Sequence, residues 1–260
     1  AVMRFLLDLS KHSKVVAEQD FDDIACFGSE SLGLSSICPW DVAFCADRLK
    51  RHRFDLSDED FRPYFPAQKV IDGLFEIVQR IFGVEVTPVT DMSVWHPDVT
   101  TYLIHREGVP LARFYFDLYA RAKKRGGAWM ADCRCRRQDP AHGLTLPVAF
   151  LTCNFPPPVN DQPALLRHDD VVTLFHEFGH GLHGLLSTVK YPRLSGASVL
   201  RDFVEFPSQV YENWFMQPQI LNEFALHAET GHPMPDELIE KILAAQTFNQ
   251  GFTTVEYVSC

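Results

Sequence analysis

The chain has 260 residues, 46% of them hydrophobic, enough for one large domain or two small ones with a sizeable core. Its 34 acidic residues outnumber 24 basic ones, and the net charge of -10 with no basic stripe argues against nucleic acid or anionic membrane as partners. No run reaches the roughly 20 apolar residues of a membrane span. The seven cysteines form no C-x-x-C pair and read as free thiols of a reducing, cytoplasmic compartment.

From the N-terminus, apolar spacing predicts helices over 2–12, 15–32, 39–52, 57–62 and 67–82. Asp41, Ser57 and Pro66 stand near helix starts, and Gly83 is a stop. The middle of the chain changes character. Residues 84–89, 100–105 and 111–118 are rich in β-branched and aromatic side chains, with a hairpin turn at Arg106-Glu107-Gly108. Cys133-x-Cys135 lies among Arg134, Arg136 and Arg137 and reads as an exposed basic loop, not half of a metal site. A further strand at 147–155 ends in Pro156-Pro157-Pro158. Helical patterns return over 168–187, 202–228 and 235–248. The fold expected is mainly α (α+β), with a helical part at 1–83, a β-rich part at 84–158 and a second helical part at 159–260.

That last part holds His176-Glu177-Phe178-Gly179-His180, an H-E-x-x-H pattern. Residues four apart on a helix share a face, so His176 and His180 can bind one zinc ion, and Glu177 can act as general base toward a zinc-bound water. Val171, Leu174, Phe175, Phe178, Leu182 and Leu185 form an apolar stripe, while Thr173, His176, Glu177, His180 and His183 fall opposite. The glycines at 179, 181 and 184 each cost about 1 kcal/mol in a helix, which points to close backbone packing or to open space above the metal. On their own, the five motif residues fit a non-enzyme helix as well as a zinc peptidase.

A catalytic zinc needs a third protein ligand. His183, one turn beyond His180, would make a strained collinear set and is read as lining a cleft. Glu205, acidic within the apolar run 203–206, is the better candidate, brought back by a loop over 190–198. A second reading of Glu205 stands beside it, as the third residue of a helix-capping box begun by Asp202. Asp169, Asp170, Asp202 and Glu212 all qualify as partners to a ligand imidazole, and spacing does not rank them. His12, His52, His142, His227 and His232 lie in polar surroundings and read as solvated.

The stretch 174–183, with Arg-Asp-Phe-Val-Glu-Phe-Pro-Ser-Gln at 201–209 and Glu-Asn-Trp at 212–214, resembles the thimet-oligopeptidase family of zinc peptidases. Cys-Pro-Trp-Asp-Val-Ala-Phe (38–44), Val-Trp-His-Pro-Asp-Val (94–99), Phe-Asp-Leu-Tyr-Ala-Arg (116–121) and Lys-Arg-Gly-Gly-Ala-Trp-Met (124–130) extend the likeness over most of the chain, nearest its bacterial oligopeptidase branch. The resemblance implies one zinc per chain on His176, His180 and Glu205, with Glu177 as catalytic base. It implies short peptides as substrates, admitted to a channel between two mainly helical halves. Members of that family are far longer, and their downstream Gly- and Tyr-rich segment has no match here. The expectation is therefore a catalytic-core region, truncated at both ends, that binds zinc and hydrolyses peptides poorly. Release of C-terminal dipeptides and a zinc-binding role without turnover are the rival functions. Because an edge strand beside the metal commonly pairs with substrate in zinc peptidases, 149–154 is a candidate for that pairing, with an ordinary structural strand as the equal alternative.

Overall fold

The computed structural model describes residues 1–160 and 162–259; the Cys260 thiol counted above lies outside them. Helix α1 runs Val2–Leu32 as one piece of 31 residues, where two helices were expected. Ser13 and Lys14, at the expected break, carry no Gly or Pro to enforce it. Gly33 then stops the helix in the left-handed conformation, φ 70°, with its N–H on the Gly28 carbonyl. Helix α2 (Val42–Phe54) begins three residues later than predicted, after Pro39 and a turn in which the Asp41 carboxylate accepts the Cys38 N–H at 3.0 Å. A short α3 (Asp58–Phe61) leads through a 3₁₀ turn at Arg62–Tyr64 to α4 (Ala67–Phe82). Helix α4 buries Val70, Ile71, Leu74, Ile77 and Val78 along one face, as its spacing requires.

Strands follow as β1 (Glu85–Val89), β2 (Thr100–Arg106), β3 (Val109–Tyr119), β4 (Trp129–Arg134), β5 (Arg137–Asp139), β6 (Gly143–Thr145) and β7 (Val148–Phe155). Glu107 and Gly108 both have positive φ, 50° and 76°, so the β2–β3 hairpin turns as the sequence predicted. The main sheet has the order β1-β2-β3-β7-β4, with β3 and β7 parallel and its other pairs antiparallel. Two expectations are corrected here. Strand β7 lies between β3 and β4 and is no edge; the edge on that side is β4. Cys133 is not in a loop but near the end of β4, where pairing with β7 shifts register between Asp132 and Arg134. Strand β4 escaped prediction because Trp129–Arg134 has weak alternation and three exposed residues.

The chain continues as α5 (His168–Leu185), α6 (Phe206–Phe215), α7 (Pro218–Phe224), α8 (Asp236–Ala245) and α9 (Gln250–Ser259). The predicted helix over 202–228 is two helices preceded by a turn at 201–205. Pro207 and Pro218 sit in the first turns of α6 and α7, where a missing N–H costs nothing. Asp202 caps no helix: the residue before α6 is Glu205, and the capping-box reading fails. Helix α9 was not anticipated at all.

The chain forms two compact units, one of residues 1–57 and 235–260 and one of 58–234. In the first, Ile24 of α1 and Cys45 and Leu49 of α2 are buried among Phe27 of α1, Ile37 of the α1–α2 connection and Phe248 of the α8–α9 connection. In the second, Phe114, Phe116 and Leu151 of the sheet are fully buried, and α4 and α5 add Phe75 and Phe178 to an aromatic cluster with centroids 5.0–6.1 Å apart. This core fixes α5 against the sheet. The fold is thus mainly α with a small mixed sheet, as expected, and the pair β5–β6 forms a second, two-stranded sheet.

Candidate metal centre

Helix α5 turns its apolar stripe inward: Val171, Leu174, Phe175, Phe178, Leu182 and Leu185 are all buried. Its glycines are where other backbone comes close. A Cβ on Gly179 would stand 2.7 Å from the Ser208 Cα and 3.0 Å from the Tyr211 Cβ, so Gly179 lets α6 lie against α5. Gly181 faces Leu151 of β7, and Gly184 is approached by Gly196 of the loop. Close packing, not open space, accounts for all three.

That approach brings Glu205 to the motif helix. Its Oε2 lies 3.2 Å from His176 Nε2 and 2.9 Å from His180 Nε2, and the three side chains form a group whose ligand atoms all lie within 4.8 Å. Two ligands each about 2.0–2.1 Å from a tetrahedral ion stand about 3.3 Å apart, so this spacing fits a divalent metal. The Ser208 hydroxyl donates to the Glu205 carboxylate at 3.0 Å and to its carbonyl at 2.9 Å. Some burial pushes the Glu205 pKa up, but this hydroxyl and the two imidazoles outweigh it and hold the carboxyl below its ordinary value. His180 is nearly buried, and burial lowers its pKa against the pull of Glu205, a shift toward the neutral form in which an imidazole can bind a metal.

Among the four carboxylates proposed as imidazole partners, geometry selects Glu212. Its Oε1 is 2.6 Å from His176 Nδ1. Asp170 is taken by Arg167, whose guanidinium donates to it at 2.9 and 3.1 Å, and Asp202 is exposed. Glu177 is only 8% exposed and lies near the Met130 amide. Burial raises its pKa and the Glu205 charge adds to that, while His176 and the Met130 N–H pull it back. His183 is half-buried beside Asp132, its ring near Phe203, and is not in the metal-holding group. Ser208 and the Met130 amide carry no sequence signal of their own; only the fold reveals them. His227, read as solvated, is half-buried and accepts the Glu229 N–H at 3.2 Å.

Comparison with known proteins now bears on this group. The model of Peptidase family M3 matches residues 1–260. The chain belongs to peptidase family M3. It is 46% identical over 249 residues to oligopeptidase A of Escherichia coli (strain K12), covering 95% of this chain and 37% of that protein. It is 39% identical over 261 residues to the dipeptidyl carboxypeptidase of the same organism, covering 100% and 38%. With the probable cytosolic oligopeptidase A of Arabidopsis thaliana it shares 38% over 244 residues, 90% and 35%. This M3 chain thus spans little more than a third of the length of the curated relatives it matches. The resemblance read from residues 174–183 and 201–209 is borne out at the level of the family.

Proposed function

We propose that this M3 chain carries the catalytic core of a zinc peptidase acting on short peptides, with His176, His180 and Glu205 holding one zinc and Glu177 as general base. The observation that carries the reading is the meeting of two imidazole Nε2 atoms and one carboxylate oxygen beside a buried carboxyl group. Two imidazoles and one carboxylate are a donor set that suits zinc and leaves a coordination position open. When bound, zinc supplies Lewis acidity to the water and to the peptide carbonyl. Glu212 fixes the ring of His176. Ser208 fixes the carboxylate of Glu205. Glu177, its basicity raised by burial, takes the proton of the attacking water and returns it to the departing amine.

The unpaired edge of β4 runs beside α5 and offers backbone groups to an extended peptide, which would align it by strand addition. The likeness to a protein named dipeptidyl carboxypeptidase favours release of C-terminal dipeptides as a second reading. Incubating the full-length protein with peptides of graded length, and mapping the products by mass spectrometry, tests both. Internal cuts support the oligopeptidase reading, and successive dipeptides from the C-terminus support the second. No cleavage by metal-loaded full-length protein overturns both.

A further inference from the structure

At the end of β3 the chain places buried charge on the connection that leads to β4. Asp117 of β3 is 4% exposed, and its carboxylate accepts from Arg121 at 2.5 and 2.8 Å, from Lys124 Nζ at 2.8 Å and from Trp95 Nε1 at 3.1 Å. The Lys124 side chain is itself 5% exposed. Its other donors go to the Asp117 and Tyr119 carbonyls, both at 2.8 Å, so all three ammonium hydrogens have acceptors. An apolar residue would fill the same space without desolvating a charge, so the lysine is there for what it orients. What it orients is the connection from β3 to β4. Asn154 of β7 clamps the same connection, donating to the Arg125 carbonyl at 2.8 Å and to the Gly127 carbonyl at 2.6 Å.

The strand register shows where that clamp acts. Asp117 pairs with Thr152, and Thr152 pairs with Trp129, the first residue of β4. The next residue, Met130, lies on the strand that packs against α5, with its amide near the Glu177 carboxyl group. The geometry points to Lys124, Asp117 and Asn154 as positioning residues that set the start of β4, and with it the Met130 amide, against Glu177. The inference rests on the reading of Glu177 as the base. Its structural part, however, stands apart from turnover.

The test is Lys124→Met, read by hydrogen exchange with the Met130 amide resolved, alongside metal content and steady-state kinetics of the full-length protein. Exchange over 125–131 is expected to quicken at least about tenfold while the interior of α5 keeps its protection and one metal per chain is retained. In the full-length protein kcat is expected to fall roughly 10- to 100-fold with KM changed little, as for a displaced catalytic group. Should Lys124→Met fail to fold, Asn154→Ala removes only the amide clamp and carries the same expectation. Unchanged exchange at 125–131 overturns the inference, as does quickened exchange with kcat intact. A parent protein without any hydrolysis defeats the peptidase reading instead, and the Met130 exchange still decides whether the cluster positions β4.

Discussion

Glu212 reaches His176 from the neighbouring helix, its Oε1 2.6 Å from the imidazole Nδ1. The other ring nitrogen, Nε2, faces Glu205 at 3.2 Å, so with a metal held between them Nδ1 would carry the ring hydrogen and donate it to Glu212. Replacing Glu212 by Ala frees the ring to turn and to change tautomer. Metal affinity, measured by competition with a chelator, should drop about 10- to 100-fold with the helical circular-dichroism signal unchanged. Equal affinity would mean that the contact does not orient the ligand.

Glu205→Ala and Glu177→Gln should separate binding from chemistry. The first removes a donor atom and should lose the metal during dialysis, which elemental analysis would show. The second keeps the donor set and should retain about one metal per chain, while full-length protein carrying it loses roughly 10²- to 10⁴-fold in hydrolysis. Full metal retention by Glu205→Ala would remove Glu205 from the site.

Gly179 tests the packing of α6 on α5. An alanine there gains about 1 kcal/mol of helix propensity, yet its Cβ meets the Ser208 backbone at 2.7 Å. Backbone cannot turn aside, so Gly179→Ala should cost about 1–3 kcal/mol net and weaken metal binding by moving Glu205. Gly181→Ala meets only the Leu151 side chain at 3.1 Å, which can rotate, and should be tolerated far better. Urea unfolding of the two variants side by side gives the comparison.

Asp117 gives the protein an acid-sensitive contact. Burial pushes its pKa up, but hydrogen bonds from Arg121, Lys124 and Trp95 prevail and hold it at about 2, against an ordinary 3.8. A depressed carboxylate stabilises the fold in full above the ordinary value and loses that contribution as pH falls through the folded one. Asp117→Asn should therefore be about 3 kcal/mol or more less stable at neutral pH, because Lys124 is left buried without its counter-charge. The gap to the parent should narrow by about 2 kcal/mol between about pH 4 and pH 2. A gap that stays constant across that range would show that the carboxylate's charge is not what stabilises the fold.

Features carried by consecutive residues were legible before any coordinates. The apolar period of 168–185, the alternation of β2 and β3 and the helix stop at Gly83 depend on neighbours in the chain, and each lies where expected. The H-E-x-x-H spacing places His176 and His180 on one helix face for the same local reason. The misses have physical causes as well. Helix α1 stayed whole because nothing between residues 12 and 15 breaks it, and 202–228 was divided by prolines that start helices as readily as they end them.

What no local pattern holds is which distant groups meet. Glu205, Glu212 and Ser208 reach the motif helix because Gly179 lets two backbones approach, a contact between residues 29 positions apart. The choice of β4 over β7 as the free edge was settled by strand order, since β7 joins β3 in parallel and takes β4 on its other side. By itself the sequence determined the fold class and the two histidines on one helix face, which are written in short-range spacing, and its likeness to known peptidases pointed to the family. Glu205 was already a candidate in the sequence, but its meeting with the two histidines, the choice of Glu212 as partner of His176 and the amide near Glu177 were decided only by tertiary packing, because each depends on how elements far apart in the chain are pressed together by the core.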